Sequence, residues 1–375
     1  MIIALYIVTG LYFLLMIVLI YGFQQLKEFE THDQITETQF SIIIPFRNET
    51  ENLPQLISSL NTLEYPNQQF EVLFVDDESE DDSAEVIKTH LKDSEIQFQI
   101  LNNQRRSNSP KKDAIKTAIH ESQFEWILTT DADCVLPEKW LVTYAAFIHQ
   151  HQSEMVAGPV SYASVDDSFV EHFQISEFLS LQGATIGGFG IGKPFLCNGA
   201  NLAYKKDTFL SLNGFDGNDQ IASGDDVFLF EKFVTTYPEK VHFLKSTSAL
   251  VTTFPLKSWK EVIQQKTRWA AKSGSYTIMF TKLVGLIVVL MNLGWIFGIG
   301  LLFWEKEFLF FLNISIIKMM VDWAMSDLTT DFYLKKSKIG SHRITSFLLY
   351  PFFSTYIAFR SVFVKYTWKG RKFKK

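Results

Sequence analysis

Two cysteines in 375 residues, Cys134 and Cys197, are too few for a disulfide framework. They suit a reducing compartment, and each is also readable as a small buried hydrophobe. Charge is missing from two long runs. Residues 1–23 carry none, and neither do the 22 residues 283–304. Either run is long enough to cross about 30 Å of hydrocarbon as a helix. The first lacks a basic n-region and a small-residue cleavage pattern, so it reads as an uncleaved anchor rather than a removable signal. Acid is missing from the C-terminal end: none follows Asp331, whereas eleven Lys or Arg do. Basic segments beside spans favour the cytoplasmic face and anionic headgroups. Internal repeats and low-complexity tracts are absent. So is a dinucleotide fingerprint, because the glycine-rich run Gly187-Gly188-Phe189-Gly190-Ile191-Gly192 is followed by Lys193 and does not open a helix after a strand.

What is present is uneven. The chain is 47% hydrophobic with 35 Phe, yet residues 24–280 have an ordinary soluble composition rich in acids. After a polar linker, 24–39, strands and helices alternate. Phe40 to Pro45, Glu71 to Val75, Gln97 to Leu101 and Glu125 to Thr130 read as strands. Asn52 to Leu63, with Pro54 tolerated in its first turn, Asp82 to Leu91 and Lys111 to Ser122 read as helices. Such alternation predicts a mostly parallel, Rossmann-like sheet covered on both faces. Ligands bind beyond the carboxyl ends of such strands. Three polar clusters fall there: Arg47-Asn48-Glu49, Asp76-Asp77 and Asp131-Ala132-Asp133.

Asp131 and Asp133 are two apart at a strand end, so on extended chain they point the same way. Paired carboxylates repel unless a cation sits between them, and hard oxygen ligands suit Mg²⁺ or Mn²⁺ together with substrate phosphates. The other reading is a solvated turn. Asp76 or Asp77 can accept hydrogen bonds from a base N–H and a ribose hydroxyl. In Gly224-Asp225-Asp226 an acid can act as a general base, or it can cap the helix expected over Val227–Val234. Gln265, Arg268 and Trp269 sit at i, i+3 and i+4, so one helix face presents all three. Arg offers a fork of donors to a diphosphate, and Trp a stacking face. An amphipathic juxtamembrane helix carrying Lys266, Arg268 and Lys272 is the alternative.

In this order, ahead of apolar segments, the boxes resemble the membrane-bound family-2 glycosyltransferases, the superfamily of cellulose and hyaluronan synthases and ceramide glucosyltransferase. The resemblance covers residues 38–275 closely and the hydrophobic tail loosely. It implies a GT-A fold and a cytosolic nucleotide-sugar donor, UDP-linked in expectation. It also implies a divalent metal, Mg²⁺ or Mn²⁺, on Asp133, with Asp131 nearer the nucleotide or sugar. Pro45, Arg47 and Glu49 resemble the first nucleotide-binding segment. Val75-Asp76-Asp77-Glu78-Ser79 resembles V-D-D-G-S, with Glu78 in place of Gly. Lys111 resembles the lysine of the next segment, although Ser109-Pro110 stands where Gly is usual, and it is also readable as a surface helix lysine. Asp226 takes the place of the base, with Asp225 beside the acceptor. Arg268 falls to the diphosphate, and Asn198, Gln265 and Trp269 to the acceptor or sugar. Gly183–Gly192 is expected to be a flexible acceptor-side loop.

The expected organisation is an anchor over 1–23, the linker 24–39, a cytosolic catalytic domain 40–280, membrane segments within 281–364 and a basic cytosolic tail 365–375. Within the membrane part, 283–304 exits, 308–328 returns with Lys318 and Asp322 paired four apart, and 344–364 is re-entrant or interfacial. Trp368-Lys369-Gly370-Arg371 resembles the cytosolic ends of related transferases. The implied enzyme inverts the sugar's anomeric centre and acts on a lipid or lipid-linked acceptor at the inner or plasma membrane, without nucleic acid. The alternatives are the catalytic subunit of a polysaccharide synthase that needs partner chains, and an inactive membrane-tethered nucleotide-sugar binder.

Overall fold

A computed structural model describes residues 2–30, 37–163, 165–166, 168–304, 308–334, 342–364, 366–368 and 371–373. Of the expected segments, linker residues 31–36, basic-loop residues 335–341 and tail residues 365, 369–370 and 374–375 lie outside these. The described strands are β1 (Phe40–Phe46), β2 (Phe70–Asp76), β3 (Gln97–Asn102), β4 (Trp126–Thr129), β5 (Met155–Ala157), β6 (Val160–Tyr162), β7 (Leu202–Lys205), β8 (Val241–Phe243), β9 (Val251–Thr253), β10 (Tyr366–Trp368) and β11 (Arg371–Phe373). The α-helices are α1 (Ile2–Gln25), α2 (Leu53–Asn61), α3 (Ser83–Leu91), α4 (Pro110–Glu121), α5 (Trp140–His151), α6 (Phe169–Gly190), α7 (Lys206–Ser211), α8 (Asp225–Thr236), α9 (Trp259–Ala271), α10 (Met279–Trp304), α11 (Phe308–Leu334) and α12 (Arg343–Phe363).

A seven-stranded sheet runs β3-β2-β1-β4-β7-β5-β8. Its first four members are parallel, as the alternating pattern predicts. Their centres are buried on both faces: Ile42, Ile43 and Ile44 of β1 are each 0% exposed. Burying an isoleucine contributes about 1.5–3 kcal/mol relative to leaving it exposed. β7 runs antiparallel to both β4 and β5, and β8 parallel to β5. The reversal matters for the site. It brings the start of β7 to the carboxyl end of β4, where Leu202 pairs with Thr129 and the Thr129 hydroxyl donates to Gly199 O at 2.8 Å.

Among the described residues three helices, Ile2–Gln25, Met279–Phe303 and Phe308–Leu334, are long and apolar enough to cross a membrane. Lys318 and Asp322 pair one turn apart on α11, and the Tyr12 hydroxyl of α1 donates to the same carboxylate. α12 is one-sided. It buries Ser346, Pro351, Phe353, Ile357 and Ser361, and it exposes Leu348, Phe352, Phe359 and Phe363. Phe353 and Ile357 pack on Val262 of α9.

The run Gly183–Gly192 is not the flexible loop expected. Most of it is the C-terminal part of α6, which packs tightly on α1. A Cβ built on Gly187 would lie 2.2 Å from Leu19 O, and one on Gly190 only 1.8 Å from Gly22 O. The glycines are therefore contact points where two helix backbones meet, as between membrane helices.

Candidate active site

The candidate site begins where β1 and β2 end. Arg47 is 8% exposed, and its guanidinium donates to Asp77 O at 2.7 Å, to Glu78 O and to Glu80 Oε1 at 2.7 Å. It is therefore engaged by the turn after β2. The Glu49 carboxylate accepts from Asn52 Nδ2 at 2.7 Å at the start of α2, and Pro45 lies opposite Val75 in the ladder. Asp76 Oδ1 accepts the Ser79 N–H at 2.8 Å and closes the turn from inside. Glu78, where the resemblance calls for glycine, holds φ +61°. The tight turn survives this departure because Arg47 binds the Glu78 carbonyl and Arg371 of β11 binds its carboxylate. Asp77 is 4% exposed and accepts from Asn103 Nδ2 at 2.6 Å, from Arg105 at 3.4 Å and from Arg371. Of the tail motif ending at Arg371, residues 369–370 lie outside the described chain.

After β4 the chain turns rather than staying extended, with Cys134 N–H donating to Asp131 O at 3.2 Å. The extended-chain alternation expected for Asp131 and Asp133 is therefore absent here; Ala132 is buried between two partly exposed aspartates. Lys111, at the start of α4, is no surface lysine. Its ammonium lies 2.6 Å from Asp131 Oδ1 and 3.1 Å from Asp225 Oδ2. Burial alone would lower its pKa, but Asp131, then Asp225 and Asp226, outweigh burial and hold it well above the usual lysine value. One lysine thus joins the aspartate turn after β4 to the acidic box of α8. Among the described residues no three carboxylate, His or Cys side chains converge as a ready metal cage. Asp131 and Asp133 are hard oxygen donors on a partly exposed turn, and that set fits a Mg²⁺ or Mn²⁺ completed by substrate phosphates.

Asp225 and Asp226 open α8, and Gly224 rather than an aspartate is the N-cap, with φ +82°. Asp226 Oδ1 accepts the Val227 N–H at 2.7 Å and Lys272 Nζ at 3.1 Å, while Oδ2 has a long contact, 3.4 Å, from Gly199 N–H. Burial pushes its pKa up, but Lys272, Lys111 and the Val227 N–H bring it below the usual aspartate value. The carboxylate is held ionised. Asn198 caps the Gly199–Asn201 turn through Ala200 N–H at 3.0 Å. Asn201 is wholly buried and fully satisfied by Trp140, Tyr144, Pro159 and Ala249, which is a structural role.

α9 starts with a capping box, Ser258 and Glu261. Trp269 lies tilted against Phe178, 6.3 Å between centroids, with the Lys266 ammonium 4.3 Å from the centroid of its ring. Lys266 is buried and paired with Glu177 of α6. Gln265 Oε1 is buried with no hydrogen-bond partner among the described residues. Arg268 and Asp133 meet electrostatically at Tyr162: burial, then Glu177 and Asp133, raise that phenol's pKa, and Arg268 opposes them.

Against the models of known families, residues 41–209 match Glycosyl transferase family 2 and residues 126–326 match Glycosyl transferase family group 2. The chain belongs to the family-2 glycosyltransferases. Similar curated proteins include the probable glycosyltransferase YdaM of Bacillus subtilis, 23% identical over 242 residues that cover 64% of this chain and 56% of that protein. The poly(ribitol-phosphate) beta-N-acetylglucosaminyltransferase TarS of Staphylococcus aureus is 27% identical over 118 residues, 32% of this chain and 20% of TarS. The beta-monoglucosyldiacylglycerol synthase of Trichormus variabilis is 24% identical over 155 residues, 40% of this chain and 33% of that enzyme. The matched part thus spans 20% to 56% of the length of these relatives. Among solved structures, the mannosyltransferase PcManGT from Pyrobaculum calidifontis, in complex with GDP-Man and Mn²⁺, superposes with TM-score 0.59 at 14% identity, covering 96% of each chain. That likeness shows a shared GT-A-like fold.

Lys272, Lys266, Glu177, Tyr162 and Arg105 of this family-2 site were not singled out as site residues from sequence. Lys272 lay one helical turn beyond Trp269, and that spacing was its only signal.

Proposed function

We propose that this chain is an inverting, metal-dependent glycosyltransferase. It moves a sugar from a UDP-linked donor to a lipid or lipid-linked acceptor at the cytosolic face of the inner or plasma membrane, forming a β-linkage. The observation that supports this reading is the Lys111 bridge, 2.6 Å from Asp131 and 3.1 Å from Asp225, which joins the aspartate turn after β4 to the acidic box that opens α8. Asp76 and Asp77 receive the nucleoside, together with Pro45, Arg47 and Glu49 at the end of β1. Arg268 and Lys111 bind the diphosphate. Asn198, Gln265, Trp269 and Asp225 contact the sugar or acceptor. Asp131 and Asp133 hold Mg²⁺ or Mn²⁺, which when bound supplies positive charge to the leaving diphosphate.

Asp226 removes the acceptor hydroxyl proton as that oxygen forms its bond to the anomeric carbon. The bond from that carbon to the diphosphate oxygen breaks in the same step, and its electron pair leaves with the nucleoside diphosphate. A single displacement inverts the centre. Residues 1–23 anchor the chain, 24–39 link, and 40–280 form the cytosolic catalytic domain. Segments 283–304 and 308–328 cross the membrane, 344–364 lies in the interface, and 365–375 is a basic cytosolic tail. The lipid acceptor and β-linkage are supported by the likeness to a beta-monoglucosyldiacylglycerol synthase. A second reading, a polysaccharide synthase subunit, is favoured by a relative named poly-beta-1,6-N-acetyl-D-glucosamine synthase, 29% identical over 107 residues.

The test is release of nucleoside diphosphate by the detergent-purified full chain, with Mg²⁺ or Mn²⁺, a panel of UDP- and GDP-sugars and a membrane lipid extract. Lipid-dependent release from one donor is the expected result, and mass spectrometry of the lipid separates single from repeated addition. Donor binding without release under every acceptor and metal contradicts the reading.

A further inference from the structure

We propose that Lys272 is a positioning residue that fixes which oxygen of Asp226 receives the acceptor proton. The proposal rests on Asp226 being the base and adds the geometry that orients it. Lys272 is the C-cap of α9, one turn beyond the Arg268-Trp269 pair. Its Nζ lies 3.1 Å from Asp226 Oδ1, and the same oxygen accepts the Val227 N–H at 2.7 Å. Two donors saturate Oδ1. Among the described residues Oδ2 keeps a single long contact, 3.4 Å from Gly199 N–H, so it is the oxygen with lone pairs left for an incoming hydroxyl.

The surroundings are shaped for this lysine. A Cβ on Gly224 would lie 3.2 Å from Lys272 Cδ and 2.7 Å from Phe228, at a φ of +82° that disfavours any side chain. The segment after Lys272 is bound to the same helix a second time. The Glu231 carboxylate of α8 accepts from the Thr277 N–H at 2.9 Å, the Thr277 hydroxyl at 2.8 Å and the Ile278 N–H at 3.1 Å, just before α10 begins. The base helix is therefore fastened at its first turn to the end of the Gln265–Trp269 helix, and about a turn and a half later to the segment just before α10. The other ionisable groups that interact with Asp226 or its lysine are Lys111 and Lys112 from α4, Asp225 on α8 itself, and the Tyr276 phenol and Cys197 thiol from the flanking segments.

Lys272→Met and Lys272→Arg in the full-length purified chain test the idea, with kcat and both KM values read from nucleoside diphosphate release. A misaimed base loses rate more than binding. The Met variant is expected to lose kcat by roughly 10–100-fold with donor KM changed less than about threefold, and the Arg variant to keep most of the rate. In the Asp226→Asn background, Lys272→Met should cost nothing further. Wild-type kcat in the Met variant, or a loss confined to donor KM, overturns the proposal. If the Met variant does not purify folded, Lys272→Gln takes its place, and wild-type kcat there overturns it equally. The two readings fail differently. An active Asp226→Asn enzyme removes the base and this proposal together. An inactive Asp226→Asn with an unaffected Lys272→Met removes this proposal alone.

Discussion

The two sides of the proposed site are held in different ways. On the side proposed to bind the donor, Arg47, Asp76, Asp77 and Asp131 sit at the ends of parallel strands and on the turns that follow them, and the buried sheet fixes them. On the side proposed to carry the base, Asp226, Gln265 and Trp269 sit on α8 and α9 and Lys272 caps α9, and these helices pack on α6 and α12. The sheet positions groups through backbone ladders, which tolerate change in the turns. The helices position groups through a few close contacts and ion pairs, which do not. This side is also tied to the apolar helix α10, because Glu231 binds Thr277 and Ile278 just before that helix begins.

Four changes would break or sharpen that contrast. The largest effect is expected from Asp226→Asn, with turnover falling by roughly 10³-fold or more while donor binding persists. Nucleoside diphosphate release and calorimetric donor titration check both halves. Next is Gly187→Leu, far from the cleft. Its side chain would collide with Leu19 O, 2.2 Å from the Cβ position, at a cost of about 3 kcal/mol. Size-exclusion profile and thermal unfolding in detergent should both deteriorate, and a Leu variant as stable as the parent would dissolve the contrast.

Lys111→Met crosses the two sides. It leaves Asp131 and Asp225 facing each other, and since Asp131 is 37% exposed the loss should be about 1–2 kcal/mol of stability, read by denaturant midpoint. The smallest effect runs the other way. Glu78→Gly relieves a left-handed residue at φ +61° and should stabilise by up to about 1 kcal/mol, unless the lost pairing with Arg371 cancels the gain. Thermal unfolding of Glu78→Gly alone and with Arg371→Ala separates the two contributions.

Lys112 adds a pH test. Burial lowers its pKa to about 8, against the opposing pull of Asp225 and Asp226, and its ammonium donates to Asn218 O and Ile221 O. The folded state thus binds fewer protons than the unfolded chain between about pH 8 and the ordinary lysine value. Stability contributed by this group rises with pH across that window. The parent should gain on Lys112→Met between pH 8 and 10 in thermal unfolding.

How much was legible follows the same division. The strands and helices from Phe40 to Thr130 could be read because short apolar runs ended by Asp, Pro or Asn are local signals. The Lys318–Asp322 pair was legible for the same reason, since a four-residue spacing fixes a helix face. α6 was misjudged. It is buried almost all round, so its apolar residues show no stripe, and glycines that read as a loop are there to let Leu19 and Gly22 approach. Lys111 and Lys272 were identifiable as lysines near motifs, but their partners are distant in sequence. Only the folded chain brings Asp131, Asp225 and Asp226 to them.

The most direct test of the central claim is to measure donor affinity and nucleoside diphosphate release side by side on the parent and Asp226→Asn, in detergent with lipid extract and Mn²⁺. The account predicts donor affinity within about threefold of the parent and no lipid-dependent release from the variant, because binding and base lie on separately held sides of the cleft. Release at the parent's rate from Asp226→Asn, or loss of donor binding along with turnover, would contradict it.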